Sequence, residues 1–281
     1  MHDVSDYELQ RSDSLPDFPT RRPPPLVPWI VIAVLVAAAA GVFYYLRRDA
    51  PSATPSGVSD TEVPVAEPER PLGTNVEPID LPPLDETDPV VRELVRALSS
   101  HPRVLAWLAT NGLIRNFTVS VDNVAAGRTP APHLRVLRPQ GAFGVIEAGG
   151  AVMMDTRSYS RYNDLAAAVA TVDARGAAEL YSRLKPRIED AYRELGYDTP
   201  FDRTLEAAIV RLLEAPLVEG DVALTPRGGL YQFNDPRLER LTPVQKQLVR
   251  MGPRNARTIQ RKLRDIGLAL GIPEGRLSTR R

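Results

Sequence analysis

The sequence predicts an α+β protein. A predominantly α-helical soluble domain over residues 88–281, with one or two small β-hairpins, follows a single transmembrane helix at 26–46 and a disordered proline-rich linker at 47–87. Three observations predict this. A long run near the start carries no charge, nine prolines crowd the stretch after it, and apolar residues then recur at steps of three and four. The 281-residue chain has no cysteine, which excludes a disulfide-stapled miniprotein, a thiolate-ligated zinc module and a cysteine nucleophile.

From Leu26 to Leu46 there are 21 uncharged residues, and at about 1.5 Å rise a helix of that length spans about 30 Å, the thickness of a bilayer's hydrocarbon core. Trp29 near one end and Phe43, Tyr44 and Tyr45 near the other occupy interfacial positions, bracketed by Arg21, Arg22, Arg47 and Arg48. Small residues at Ala38 to Ala40 would suit a cleaved signal peptide. The apolar run continues past them to Leu46, however, so an uncleaved anchor is expected. Near the span, Arg11, Arg21 and Arg22 on the N-terminal side face Arg47 and Arg48 on the other. That count, and the ease with which long following domains translocate, favours the tail inside and the domain outside. The tail, residues 1–25, is short, mixed in charge and expected to be disordered.

Between Asp49 and Pro89 the nine prolines alternate with Ser, Thr, Glu and Asp, and the net charge is −9. Without apolar periodicity such a stretch cannot bury enough surface to offset its chain entropy, so it reads as an extended tether.

Past it, helical periodicity dominates. The first helix is expected to take Asp88 as cap and Pro89 at its first position, with Val91, Leu94, Val95 and Leu98 on one face. Pro102 starts a second helix. Ile114, Phe117, Val121 and Val124 mark a third, opened by Asn111-Gly112. Phe143, Val145, Gly149-Gly150, Val152 and Met154 read as a hairpin. Further helices are expected at 158–172, at 174–195 with an interruption or bend at Pro186, and at 201–214. A second hairpin is expected to pair 222–224 with 230–233 across 225–229. Two closing helices, 243–251 and 254–270, are broken by Gly252-Pro253.

Several phrases carry a resemblance. They are Leu81-Pro-Pro-Leu-Asp85 with Asp88, Asn111-Gly-Leu-Ile-Arg-Asn116 running to Val121-Asp122-Asn123, and Arg157-Ser158-Tyr159 with Arg161-Tyr162. Tyr192-Arg-Glu-Leu-Gly-Tyr197 and Gln245-Lys-Gln-Leu into Arg250-Met-Gly-Pro-Arg-Asn-Ala-Arg257 complete the set. Over roughly residues 81–271 the chain resembles a family of uncharacterised bacterial single-pass inner-membrane proteins with a domain of unknown function. It departs from the pattern at Thr156, where proline is expected. The resemblance implies a Gram-negative-type envelope and brings no catalytic or binding residue with it; with the orientation expected from the charges near the span, the N-terminus is cytoplasmic and the domain periplasmic.

The residues themselves name no reaction, no catalytic residue, no cofactor and no metal. His-Glu-x-x-His, phosphate-loop, dinucleotide and Gly-x-Ser-x-Gly signatures are all absent. His2 lies in the tail, His101 before Pro102, and His133 in a proline-flanked loop. Asp155 and Asp164 flank an Arg/Tyr-rich segment and could act as paired carboxylates of an envelope polysaccharide hydrolase, although capping and solvation account for both. Arg157, Tyr159, Arg161 and Tyr162 form a candidate ligand-binding cluster for a carboxylate or sugar ring.

The sharpest signal closes the chain. Ala256, Ile259, Leu263, Ile266 and Leu270 make one helical face, and Arg250, Arg254, Arg257, Arg261 and Arg264 another. From Arg237 onward the net charge is +9. These five arginines are the expected interaction surface for an envelope protein or an anionic polymer, while residues 26–46 engage the lipid bilayer. A helix-turn-helix reading, with nucleic acid as partner, would require the opposite topology and is the lesser alternative. The expected function is therefore a membrane-anchored envelope interaction or scaffold domain.

Overall fold

The structure, a computed structural model, describes residues 71–77 and 79–278. The chain divides into two units, Met1–Ala66 and Glu67–Arg281, and all described residues belong to the second. The expected tail, the span at 26–46 and the linker up to residue 70 lie outside the described residues. Among the described residues no helix is long and apolar enough to cross a membrane.

The unit is mixed helix and sheet, dominated by helix. Its helices are α1 (Asp88–Arg96), α2 (Pro102–Leu108), α3 (Leu113–Ala125), α4 (Asn163–Ala170), α5 (Ala174–Glu194) and α6 (Phe201–Leu213). After them come α7 (Pro236–Glu239), α8 (Pro243–Arg250), α9 (Pro253–Ala269) and α10 (Glu274–Leu277). The strands are β1 (Val145–Ala148), β2 (Ala151–Met154), β3 (Ala223–Arg227) and β4 (Leu230–Phe233).

The main core gathers the apolar faces of α3, α5 and α6 around Phe201, which is fully buried. Tyr192 meets the Phe201 ring edge-on at 5.1 Å between centroids and stacks on Tyr197 at 4.4 Å. On α3 the predicted inward residues Ile114 and Val124 are buried, and Gly112 supplies the left-handed turn (φ 67°) that opens the helix. Pro186 does not break α5, which is continuous through it. The proline is exposed, so water can hydrate the carbonyl that it leaves without a donor.

Asp88 is not the cap of α1. Thr87 holds that position, buried, with its hydroxyl donating to the Leu84 carbonyl at 2.9 Å, and Asp88 stands inside the first turn. The expected helix at 158–172 is a 3₁₀ stretch, Thr156–Tyr162, followed by α4. The second hairpin turns more tightly than expected: Thr225, Pro226 and Arg227 continue β3, paired with Gln232, Tyr231 and Leu230, and only Gly228 and Gly229 form the turn.

The two hairpins join. β2 pairs antiparallel with β3 through Val152–Leu224 and Met153–Ala223, giving one four-stranded sheet in the order β1-β2-β3-β4. Met154, Leu224 and Phe233 form a second core with Val249 of α8, so the sheet seats the start of the closing helix pair.

The described residues between 71 and 87, expected as linker, are held to the body at several points. Leu72 and Leu81 are buried against the main core. The Leu72 N–H donates to Asp202 at 3.2 Å, Gly73 N–H to the Leu270 carbonyl at 2.9 Å, and Thr74 N–H to Ser182 at 2.8 Å. Arg187 grips the carbonyls of Leu81 and Pro82 at 2.8 and 2.7 Å. Isolated leucines and side-chain acceptors hold this strap, so it needs none of the periodicity by which buried segments are recognised.

Candidate functional site

The break between α8 and α9 is closely packed against the 3₁₀ stretch. Gly252 turns the chain at φ 82°, and the ring of Tyr159 lies so close that a Cβ at Gly252 would fall 2.5 Å from a ring carbon. Buried Asn255 ties the two segments together, its amide donating to the carbonyls of Tyr159 and Met251, each at 3.0 Å. A cavity of about 330 Å³ opens over this junction, bounded by the 3₁₀ stretch, the Gly220-Asp221 turn and the start of α9. Tyr159, Met251 and Pro253 give it apolar wall, while Asn163, Asp221 and Arg254, all exposed, bring polar groups to it. Burial, and then the nearby Asp221 charge, push the Tyr159 phenol above its ordinary value, so it stays a protonated donor.

The structure separates the Arg/Tyr cluster. Only Tyr159 lines the cavity. Arg157, highly exposed, pairs with Asp155 at 3.0 Å. Arg161 is pinned: its guanidinium lies 4.8 Å from the Tyr162 ring centroid and 5.6 Å from that of Phe143, and donates to the Gly141 carbonyl and the Tyr162 hydroxyl. Tyr162 is itself buried and accepts from Gln247 of α8 at 2.8 Å. Those two residues join a loop to the closing helices.

It also divides the arginine face. Arg250 is withdrawn from that face, half-buried with its guanidinium 5.0 Å from the Phe233 ring centroid and reaching toward the Tyr231 carbonyl. Burial lowers its pKa, the signature of a cation held in the protein rather than offered to solvent. The reason is that the sheet covers this end of α8. Arg254, Arg257, Arg261 and Arg264 are exposed on α9. Arg257 pairs with Glu219 at 2.5 Å, and Arg264 donates to the Leu277 carbonyl at 3.2 Å. Among the described residues Arg254 and Arg261 have no acidic partner within ion-pair distance.

The carboxylates give no acid and base pair. Asp155 accepts from the Arg157 side chain and N–H, which hold it below the usual carboxylate range, the opposite of what a general acid requires. Asp164 is exposed and faces Arg103 at 3.8 Å. Asp155 does cap the 3₁₀ stretch. His101 caps α2, its Nδ1 accepting from the Arg103 N–H at 3.2 Å, and His133 is exposed in its loop. Among the described residues no cluster of His, Asp or Glu is arranged to hold a metal.

Sequence reasoning missed Asn163 and Asp221 as neighbours of Tyr159 and Arg254. Its one available signal was the Gly252-Pro253 break, because the three segments of the cavity are dispersed along the chain.

No curated protein and no solved structure matches the chain. The family described as "Protein of unknown function (DUF3014)" matches residues 113–267, from the start of α3 nearly to the end of α9 and across the whole cavity. The match covers more than half of the chain, which therefore belongs to this family.

Proposed function

We propose that the protein is a membrane-anchored cell-envelope binding module. Residues 26–46 span a bacterial inner membrane with the N-terminus cytoplasmic, and the domain on the periplasmic side captures an anionic envelope component on the outward face of α9. The observation that carries this reading is the row Arg254, Arg257, Arg261 and Arg264, exposed on one 17-residue helix and covering about 15 Å of its length. The Arg257–Glu219 pair is exposed on both sides and does not lock the row, since such pairs contribute about 0–1 kcal/mol. Four guanidiniums at this spacing suit a dense array of carboxylates or phosphates.

The test uses the full chain in neutral-lipid nanodiscs, sedimented with phosphatidylglycerol or phosphatidylcholine vesicles. Capture by the anionic vesicles alone, falling with salt, is the expected result. Replacing Arg254, Arg257 and Arg261 by glutamine should weaken it at least tenfold, because each cation near such a surface contributes about 1 kcal/mol. Equal capture of both vesicles, or capture unaltered in a variant that unfolds normally, would overturn the reading. A periplasm-active reporter fused after Arg281 tests the topology, and a silent reporter in a stably expressed fusion would refute it.

A further inference from the structure

We propose that the cavity at the α8–α9 break is a binding site for a small zwitterion, an α-amino-acid head group with its carboxylate on Arg254 and its ammonium on Asp221. The proposal goes beyond the envelope-capture reading and does not depend on it, since such a ligand carries no net charge.

The argument starts from two opposite charges that do not pair. Arg254 and Asp221 both line one cavity of about 330 Å³, and neither forms an ion pair among the described residues. Some exposed arginines have an acid beside them, Arg157 with Asp155, Arg237 with Asp235 and Arg257 with Glu219, whereas Arg254, like Arg261, has none among the described residues. Inside the cavity, as distinct from the outward face of α9, a simple anion would gain Arg254 but face Asp221, a simple cation the reverse, and a neutral ligand would leave both unanswered. A molecule carrying both charges a few bonds apart answers both, with the planar guanidinium available for bidentate contact to carboxylate.

The remaining lining fits the rest of such a molecule. Asn163 offers an amide donor and acceptor, and Tyr159, protonated, a hydroxyl. Met251, Pro253 and the Tyr159 ring provide the apolar wall on which an aliphatic side chain would lie. The volume, at the small end of the range of about 300 to 1,000 Å³ for ligand pockets and open to solvent, has room for a group the size of an amino acid. The geometry is also fixed in advance. Gly252 leaves room for the Tyr159 ring, and buried Asn255 clamps the 3₁₀ stretch to the break, so the apolar wall is set before binding and the ordering cost falls on the exposed side chains of Arg254 and Asp221.

The experiment is calorimetric titration of the full chain in detergent with leucine, N-acetyl-leucine, which keeps only the carboxylate charge, and leucinamide, which keeps only the ammonium. Leucine should bind at least tenfold more tightly than either blocked form. Asp221→Asn should remove the preference over N-acetyl-leucine, and Arg254→Gln the preference over leucinamide. These are surface substitutions, so folding is preserved, and unfolding curves verify it. A leucyl-leucine arm tests the head group, because the peptide holds its two charges a residue farther apart: weaker binding than leucine supports an α-amino-acid head group, and tighter binding would overturn it. No heat with either zwitterion, equal binding of N-acetyl-leucine and leucine, or an Asp221→Asn variant with unchanged selectivity would each overturn the proposal.

Discussion

Asp88 caps a helix to which it does not belong. Its carboxylate accepts from the N–H of Gly112 at 2.8 Å and from the N–H of Leu113 at 2.9 Å, closing the start of α3 from the first turn of α1. Gly112 has no side chain with which to cap α3, so the donors there depend on a residue 24 positions earlier in the chain. Asp88→Ala should therefore cost about 1–2 kcal/mol, the value of a lost helix cap, and lower the melting temperature by a few degrees. Asp88→Asn, which keeps one acceptor oxygen, should cost less. Thermal and urea unfolding measure both, and an alanine variant as stable as wild type would refute the cross-chain cap.

Asp202 holds the N-terminal strap to the body. Its oxygens accept from the Tyr181 hydroxyl and the Lys185 ammonium, each at 2.5 Å, and from the Leu72 N–H at 3.2 Å. Asp202→Ala leaves half-buried Lys185 without its counter-charge and removes three hydrogen bonds, and should destabilise the domain by about 2 kcal/mol. Tyr181→Phe removes one hydrogen bond and should cost about 1 kcal/mol. Hydrogen exchange separates strap release from general loosening. The amide of Leu72 should lose protection in Asp202→Ala more than the amides of α3 do, and equal loss everywhere would refute the clamp.

Glu239 ties α7 to α8 and to the sheet. It accepts from Lys246 at 2.6 Å and from the Phe233 N–H at 2.9 Å, and the Lys246 bond, ahead of that N–H, holds its carboxyl below the ordinary glutamate value of 4.5. A carboxyl that binds its proton less readily when folded than when unfolded adds stability above the unfolded value. That stability is lost as pH falls through the lower folded value. Glu239→Gln should therefore lower the melting temperature at pH 7, and the gap from wild type should narrow progressively as the pH falls below the ordinary glutamate value of 4.5. A gap constant from pH 7 to 3 would show that the charge is not what matters.

The sequence showed the elements more clearly than their partners. Gly149-Gly150 and Gly228-Gly229 announce two hairpins because only glycine takes those paired positive φ angles without strain. Nothing in either hairpin announces that Val152 will meet Leu224, since that pairing depends on the helices between bringing the two edges together. Arg250 belongs to the arginine periodicity as fully as Arg254 does, and only the sheet under α8 withdraws it. The same holds for Tyr159 and Arg254, whose shared cavity depends on Asn255 clamping segments that the sequence keeps far apart.

By itself the sequence determined the helix-rich class, the two hairpins, the Gly252-Pro253 break and the arginine face of α9, because each follows from local sterics or from a period of three to four residues. Tertiary structure alone decided that the hairpins share a sheet, that Asp88 serves α3, that Leu72 to Thr74 and Leu81-Pro82 are strapped down, and which cations remain in water. Each of those outcomes is a contact between residues distant in the chain, settled by which surfaces can be buried together once the helices have formed.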